Sequence, residues 1–356
     1  MIIPTEPIGS VPRPPWLVEA MADHAAGAID AAALQAAVER AVEETVDAFE
    51  DTGSPVITDG EQGKPSFATY PLAGLENLAP DGAVIRFADG HSRQFPRLTG
   101  GPFRYATYSG AYVARALRYA HRPVKQAVIA PSALSLLYPA DGLPGYEHEA
   151  FLDDLVDEAE TDIRSAFEAG AASVQLDFTE GWLACKLDPS RDLLKKLVGL
   201  NNRVLARFSA EERTRIGVHT CPGGDQNSTH SADVDYALLL PDLFEMQAGS
   251  FFVQLASESD KKRVLELLAD LRKPRQRIFV GVIDPIDLAI EAPELVRDRI
   301  LQAADYIPPE HLGSTDDCGF SPFGDDLTTA REVAFAKIRA RVEGTRLAEK
   351  ALQEEG

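Results

Sequence analysis

A histidine and a cysteine stand two residues apart in the stretch GVHTCPGGDQNSTH, which begins at Gly217. On an extended segment, His219 and Cys221 point to the same face, so both can reach one ion. A second cysteine, Cys318, follows a different apolar run much later in the chain. Zinc takes imidazole nitrogen and thiolate sulfur in a tetrahedral shell, and a catalytic zinc keeps one position for substrate. The three residues therefore predict a catalytic zinc site, with ordinary packing as the alternative.

Composition and charge exclude several classes of partner. The chain has 356 residues, 45% of them hydrophobic, and a formal net charge of -21. Binding to nucleic acid or to an anionic membrane needs a basic face, so neither is an expected partner. Three cysteines are too few and too scattered for a disulfide framework, and no run of about 18 apolar residues occurs. We expect a cytoplasmic protein that acts on small molecules.

Short apolar runs alternate with longer stretches of helical periodicity. The strand-like runs lie near Ile8 and at residues 54–61, 125–130, 172–177, 215–220, 250–256, 277–284 and 311–319. In the stretches between them, apolar residues recur at three- and four-residue intervals, which is typical of amphipathic helices. Eight strands alternating with helices predict an α/β fold, a (β/α)8 TIM barrel, as one catalytic domain over residues 1–356.

One connection is too long for a simple crossover. Residues 62–124 separate the second and third predicted strands and contain the stretch AVIRFADGHSRQFPRL. Its apolar and polar residues alternate on both sides of Asp89-Gly90, which indicates a β-hairpin. We expect this excursion to lie over one mouth of the barrel.

The ends of the predicted strands carry the residues that are suited to chemistry. Barrel enzymes place their reactive groups at the carboxyl ends of the strands. The runs end in Ile8-Gly9-Ser10, Asp59-Gly60-Glu61, Asp177, His219 and Cys221, Gln254, Asp284, and Asp317-Cys318-Gly319. Ionisable and helix-breaking residues should therefore gather at one mouth.

Five of these strand ends together resemble a known family. The stretches IGSVPRP, DGE, VQLD, HTC and DDCG occur in this order, and they resemble the C-terminal catalytic barrel of cobalamin-independent methionine synthase and its single-barrel relatives. The resemblance covers nearly the whole chain and lacks the N-terminal barrel of the long enzymes. It implies a zinc-dependent methyltransferase of methionine biosynthesis, similar to 5-methyltetrahydropteroyltriglutamate–homocysteine methyltransferase, that methylates the thiol of homocysteine.

The resemblance also implies a set of zinc ligands. Zn²⁺ would be held by the residues that match His219, Cys221 and Cys318, and a carboxylate commonly completes the shell. Where relatives have a glutamate, this chain has Gln254. Gln254 would be a weak oxygen ligand, or a water would take its place; Glu258 lies past the strand end. The departure is tolerable because an incoming thiol displaces that ligand.

Two thiolate ligands favour one kind of chemistry at such a site. A free thiol has a pKa of about 8.5, and zinc binding favours the thiolate. Two cysteine thiolates already neutralise Zn²⁺, so a third, from the substrate, stays nucleophilic. Neutral ligands would instead favour hydroxide chemistry. The ligand set predicts alkyl transfer to sulfur rather than hydrolysis.

Substrate contacts follow from the resemblance in the same way. Residues matching Glu61 and Asp177 hold the α-amino group of homocysteine, and the Ile8-Gly9-Ser10 segment holds its carboxylate. Two converging carboxylates suit an ammonium and suit a sulfonate poorly; an internal salt bridge or helix cap is the alternative. Asp284 is a candidate to shuttle a proton or orient substrate, with a structural role equally open.

The methyl donor is less defined than the acceptor. The chain reads APSALSLLYP where folate-using relatives have a tryptophan, and QGKPSFATY where they have an arginine and an aspartate. A histidine near the seventh strand is also missing from GVIDPIDLAI. These losses count against polyglutamylated methyl-folate and leave methylcobalamin, its carrier protein or another alkyl donor.

Three other functions remain open at this stage. A zinc-dependent alkyl or thiol transferase similar to epoxyalkane–coenzyme M transferases would keep the metal and change the substrates. Porphyrinogen decarboxylation rests on fold analogy alone and needs no metal. A zinc-stabilised binding barrel would have no activity.

Overall fold

The computed structural model describes residues 2–355. Its strands are β1 (Leu78–Ala79), β2 (Val84–Arg86), β3 (Ser92–Gln94), β4 (Arg97–Leu98), β5 (Lys125–Ile129), β6 (Ser173–Asp177), β7 (Ile216–Thr220), β8 (Gly224–Asp225), β9 (Ser228–Thr229), β10 (Ser250–Val253), β11 (Arg277–Ile283) and β12 (Leu312–Asp316). Its α-helices are α1 (Pro15–Ala25), α2 (Ala31–Asp51), α3 (Gly110–Ala116), α4 (Pro131–Leu134), α5 (His148–Glu168), α6 (Glu180–Leu187), α7 (Asp192–Leu205), α8 (Tyr236–Leu243), α9 (Lys261–Leu271), α10 (Pro293–Ala304) and α11 (Arg331–Glu355).

Six of the strands form one parallel sheet in the order β12-β11-β10-β7-β6-β5. Every residue of β5, β7 and β12 is buried. Such burial is characteristic of parallel strands with helices packed outside them, and it explains why these segments read as unbroken apolar runs. All six coincide with predicted strands.

Two N-terminal segments occupy the remaining positions and close the sheet into a barrel. Thr5 bridges Ser314 of β12, and Ile57 bridges Val124 beside β5, both in parallel. The two segments also meet each other, because the Thr58 hydroxyl donates to the carbonyl of Gly9 at 2.8 Å. These segments form isolated bridges rather than regular strands. The predicted (β/α)8 barrel is confirmed, with two of its eight positions held by irregular backbone.

The helices bury one face each against this barrel. In α2 the buried residues include Val38, Val42, Val46 and Phe49, spaced three and four apart as a one-sided helix requires. The helix begins where the Asp30 carboxylate accepts the backbone N–H of Ala33 at 2.8 Å, which caps its first turn. Among the described residues, no helix combines the length and the apolar run that a membrane span requires.

The excursion between the second and third strand positions contains the predicted hairpin. Strands β2 and β3 pair antiparallel, and Gly90 in their turn has a φ of 97°, which a side chain would oppose. The hairpin contacts the segment after β7: the backbone N–H of Ala88 donates to the carbonyl of Thr229 at 2.9 Å. The excursion therefore covers the barrel mouth on the side where β7 ends. The small β8–β9 hairpin that it contacts was not predicted.

Candidate metal and substrate site

His219, Cys221 and Cys318 meet at the carboxyl end of the barrel. His219 lies in β7, Cys221 follows that strand directly, and Cys318 comes two residues after β12. Their ligand atoms all lie within 4.8 Å of one another. Three residues from two separate strand ends thus converge on one point, as the spacing of the sequence predicted.

The chemistry of these residues fits a zinc ion. His219 is buried, and in the described chain neither of its ring nitrogens has a hydrogen-bond partner, which is unfavourable unless a ligand takes that place. The sulfurs of Cys221 and Cys318 lie 2.7 Å apart, and both cysteines are free. Burial raises the pKa of Cys221, whereas donation from Cys221 lowers the pKa of Cys318 well below its ordinary value. One imidazole and two sulfurs form a donor set that zinc prefers.

A cavity of about 890 Å³ opens at this mouth. Its wall includes His219 and Cys318 together with all the residues predicted to bind the acceptor: Ile8, Gly9, Ser10, Glu61 and Asp177. The hairpin adds an apolar side through Ile85, Phe87 and Phe95. The structure therefore brings the candidate metal ligands and the candidate substrate ligands onto one surface.

Asp177 is the direct neighbour of His219 across the sheet. The last residue of β6 is paired in register with His219 of β7. One carboxylate oxygen of Asp177 accepts the side-chain N–H of Gln175 at 2.7 Å. Burial raises the pKa of Asp177 to about 6, and the nearby Glu61 carboxylate acts in the same direction. The Asp177 carboxylate therefore lies beside the candidate metal cluster, and burial makes its ionised form less favourable than it is in water.

Glu61 lies in a tight turn that aims its side chain at the cavity. Its φ of 59° is left-handed, an unusual conformation for a residue other than glycine. The Asp59 carboxylate accepts the backbone N–H of Glu61 at 2.9 Å. One carboxylate oxygen of Glu61 accepts the Lys64 ammonium at 2.9 Å, while the other is buried and has no partner among the described residues. That second oxygen has an unused hydrogen-bonding position.

The first strand end supplies backbone to the same wall. The carbonyl of Ile8 accepts the Gln175 amide at 3.1 Å. A side chain at Gly9 would contact Ala127 and one Glu61 carboxylate oxygen, at 3.5 and 3.7 Å from its Cβ. A side chain at Gly319 would lie 2.2 Å from the Ser10 hydroxyl. The segment is therefore packed closely against both the Glu61 turn and the loop that carries Cys318.

Gln254 and Asp284 do not border this cavity. The Gln254 amide donates to the Glu258 carboxylate at 2.8 Å, and no carboxylate of the described chain joins the three-residue metal cluster. A role for Gln254 as a metal ligand stays a prediction. The Asp284 carboxylate accepts the backbone N–H of Ile286 at 2.9 Å, which closes a turn after β11. These contacts favour the structural alternative for Asp284, and its catalytic role stays a prediction without a contact to the cavity.

Two residues shape the site more than the sequence indicated. Lys64 pairs with Glu61; the sequence places Arg13 and Lys64 near the expected mouth but does not indicate this pairing. Asp317 is buried beside Cys318 and accepts the backbone N–H groups of Leu255, Ala256 and Ser257 at 2.8–2.9 Å, as well as the Ser257 hydroxyl at 2.7 Å. This carboxylate ties the loop after β10 to the loop that carries Cys318.

Comparisons with known proteins agree with this geometry. Residues 3–343 match the family described as the catalytic domain of cobalamin-independent synthase. The methionine synthases of Sulfurisphaera tokodaii and Saccharolobus solfataricus are 25% and 23% identical to the chain over its full length, which covers 95% and 97% of theirs.

Solved structures share the fold. A B12-independent methionine synthase from Shewanella sp. W3-18-1 has a TM-score of 0.78 at 18% identity, covering 99% of this chain and 100% of its own. A putative vitamin-B12 independent methionine synthase from Listeria monocytogenes has a TM-score of 0.74 at 20% identity, covering 97% and 98%. The match over residues 3–343 and the barrel that carries it identify the chain as a member of the cobalamin-independent synthase catalytic-domain family of enzymes.

Proposed function

We propose that this protein is a zinc-dependent methyltransferase that methylates the thiol of homocysteine. The observation that carries the proposal is the position of Asp177, which borders the cavity and is the register neighbour of the metal-cluster residue His219. Asp177, which would bind the amino end of a small thiol, is thereby placed beside the cluster whose metal would activate the sulfur of that thiol. The relatives named methionine synthase support the same acceptor.

His219, Cys221 and Cys318 would hold the zinc. When bound, the metal supplies thiol activation, because it favours the thiolate of the acceptor at neutral pH. The protein residues provide the charge balance: two cysteine thiolates offset the charge of Zn²⁺, so the acceptor sulfur keeps its nucleophilicity.

The other wall of the cavity would orient the acceptor. The free oxygen of Glu61 and the Asp177 carboxylate would accept the α-ammonium of homocysteine, and backbone and hydroxyl groups of Ile8, Gly9 and Ser10 would bind its carboxylate. Fixing both ends of the molecule directs its thiol toward His219 and Cys318. Holding the reacting sulfur in place supplies much of the rate enhancement in such reactions.

The transfer itself forms a carbon–sulfur bond. The acceptor sulfur attacks the methyl carbon, and the bond from that carbon to the donor breaks, with its electron pair leaving on the donor. The apolar side chains of Ile85, Phe87 and Phe95 line the same cavity and would receive the donor. We further propose that residues 1–356 act as one catalytic domain. We also propose a cytoplasmic location, since free cysteines are typical of a reducing compartment.

The alkyl transfer to coenzyme M has less support. A sulfonate needs a cation at the acceptor pocket, and Lys64 is already paired with Glu61. Arg93, which lines the cavity, is paired with both Asp225 and Asp325. Among the described residues, neither of these cations is available to a sulfonate.

The proposal is tested by product analysis and by one cysteine substitution. Zinc-loaded enzyme is incubated with homocysteine and one methyl donor, either methyl-tetrahydrofolate or methylcobalamin, in separate reactions. Methionine is measured by mass spectrometry. Cys318→Ser should lose both tight zinc binding and turnover. Cys185→Ser is the matched control, since Cys185 is free and buried in α6, outside the metal cluster. A folded Cys318→Ser protein that retained zinc and activity would overturn the proposal.

A further inference from the structure

We infer that Lys64 is a positioning residue that sets the specificity of the acceptor pocket. By pairing with Glu61, it leaves that carboxylate with one free oxygen. It also leaves Glu61, Asp177 and Lys64 together with a single net negative charge. The inference rests on the proposed binding of an amino thiol at Glu61 and Asp177. Lys64 is fully buried and does not line the cavity. It would therefore act through Glu61 and not by touching substrate.

The ammonium of Lys64 is held on three sides. It donates to the Glu61 carboxylate at 2.9 Å and to the backbone carbonyl of Ala127 at 2.8 Å. It also lies over the ring of Tyr70, 4.5 Å from the ring centroid. Two of the three ammonium protons are used in these hydrogen bonds, and burial of Lys64 outside the cavity wall keeps it from contacting a substrate directly.

The backbone that links Lys64 to Glu61 is equally fixed. The Arg13 guanidinium donates to the carbonyls of both Glu61 and Lys64, each at 2.7 Å. The turn is thereby held at both ends, and the left-handed conformation of Glu61 is maintained by the surrounding contacts. The direction of the Glu61 carboxylate depends on this turn and on the pairing with Lys64.

Each of the two pocket carboxylates has one oxygen held by the protein. Lys64 holds one oxygen of Glu61, and Gln175 holds one oxygen of Asp177 at 2.7 Å. The second oxygen of Glu61 is buried and unpaired within the described chain. The same arrangement on both sides leaves one oxygen from each carboxylate for a shared ligand, which is the pattern that an ammonium group requires.

The charges of the pocket also select one class of ligand. Glu61 and Asp177 contribute two negative charges, and Lys64 contributes one positive charge. Burial disfavours that positive charge, but the Glu61 and Asp59 carboxylates outweigh it and raise the pKa of Lys64. The remaining single negative charge matches one ammonium. Without Lys64, Glu61 would lose the partner that fixes one of its oxygens, and the pocket would carry one more negative charge.

The test compares Lys64→Met with the wild type on two thiols. Homocysteine carries the ammonium, and 4-mercaptobutyrate carries the same thiol and carboxylate without it. Binding is followed by the absorption of cobalt-substituted protein, which reports a new sulfur ligand and needs no methyl donor. We expect Lys64→Met to weaken homocysteine binding by roughly tenfold or more and to leave 4-mercaptobutyrate binding within about threefold. Unchanged discrimination between the two thiols in the folded variant would overturn the inference.

A control and a second variant guard against loss of folding. Lys337 is also a fully buried lysine, paired with Glu291 at 2.9 Å away from the pocket, so Lys337→Met should keep the wild-type discrimination. The double variant Glu61→Gln with Lys64→Met removes both charges of the pair, whereas Glu61→Gln alone leaves the buried Lys64 ammonium without its carboxylate partner. If Lys64 acts through Glu61, Lys64→Met should cause no further loss of discrimination in the Glu61→Gln background; an additional loss would overturn the inference.

The inference and the proposed function fail in different ways. Binding of homocysteine to the cobalt protein with the expected loss in Lys64→Met, but without methionine formation by the wild type, would reject methyl transfer and support the role of Lys64. With an active wild type, KM for homocysteine should rise in Lys64→Met while kcat changes less. An equal loss of affinity for homocysteine and for 4-mercaptobutyrate would indicate that Lys64 has a merely structural role.

Discussion

The side-chain amide of Gln254 donates to the carboxylate of Glu258 at 2.8 Å. This contact fixes the amide nitrogen on the side of Glu258 and leaves the amide oxygen as the only group of Gln254 that can serve as a ligand. A neutral amide binds zinc more weakly than a carboxylate. In the proposed zinc shell, Gln254 would therefore hold the position of the incoming thiol only weakly.

We predict that Gln254→Ala keeps its zinc. As the proposed zinc ligands, His219, Cys221 and Cys318 would supply the strong bonds to the metal. Zinc content after dialysis should therefore stay near one ion per chain, and affinity for homocysteine should change by less than about fivefold. Metal analysis and cobalt absorption titrations measure both. Zinc loss as complete as that expected for Cys318→Ser would show that Gln254 is an essential ligand.

Asp317 should be important for stability as well as for the metal. Burial raises the pKa of its carboxyl to about 6, and the four hydrogen bonds that the carboxylate accepts act in the opposite direction. Asp317→Ala would leave three backbone N–H groups unpaired and should lower the free energy of unfolding by at least about 2 kcal/mol. Urea denaturation and zinc affinity measure the effect.

The control for that substitution is Asp287→Ala. Asp287 is exposed, and its carboxylate accepts a single backbone N–H, that of Ala289 at 3.0 Å. Its loss should change stability by less than about 1 kcal/mol. Equal effects of the two substitutions would contradict the importance of the Asp317 contacts.

Glu180 gives a prediction about pH. Burial raises the pKa of this carboxyl from 4.5 to about 8, and one of its oxygens accepts the Ser132 hydroxyl. Between these values the folded protein binds more protons than the unfolded chain, so Glu180 lowers stability as the pH rises from about 4.5 to about 8. Glu180→Gln removes that dependence. Its stability relative to wild type should improve by up to about 1.4 kcal/mol per pH unit over this window.

Urea midpoints at several pH values between 5 and 8 test this directly. The exposed Glu168, at the end of α5, provides the matched control Glu168→Gln. A stability difference between Glu180→Gln and wild type that stayed constant with pH would mean that Glu180 is ionised in the folded protein.

The hairpin over the cavity is held by a small charge network. Arg93 in β3 pairs with Asp225 at 2.5 Å and with Asp325 at 2.9 Å, and the Asp225 side chain is fully buried. Arg93→Met should release the hairpin, because it leaves the Asp225 carboxylate with His91 as its remaining partner. Hydrogen exchange should then accelerate at residues 84–94 and stay unchanged in β5 and β6.

Arg97→Met is the comparison for this effect. Arg97 lies in the same excursion and pairs with the exposed Asp81 at 3.0 Å, so it contributes little to the docking of the hairpin. Slow exchange in the hairpin of Arg93→Met would show that the backbone contacts, such as Ala88 to Thr229, hold it without the charges.

The sequence determined the architecture because strands and helices follow from local patterns of apolar residues. Six predicted runs became strands of the parallel sheet, since strands buried on both faces must be continuously apolar and the helices between them one-sided. The convergence of His219, Cys221 and Cys318 was equally predictable, and their role as zinc ligands stays a prediction. In a closed parallel barrel, all strands deliver their last residues to the same end, so residues far apart in sequence meet there.

Only the tertiary structure decided how these residues are used. Three contacts show this: Lys64 pairs with Glu61, Asp317 binds the loop after β10, and Asp284 closes a turn. Each contact depends on the distance between side chains or on the direction of one side chain. The periodicity of the sequence records neither the distances nor the directions. The first two barrel positions became isolated bridges for the same reason: Thr5 and Ile57 meet their neighbours at single points that no local pattern records. Strand ends can be placed from the sequence, but the contact that gives each carboxylate its role is set when the barrel closes.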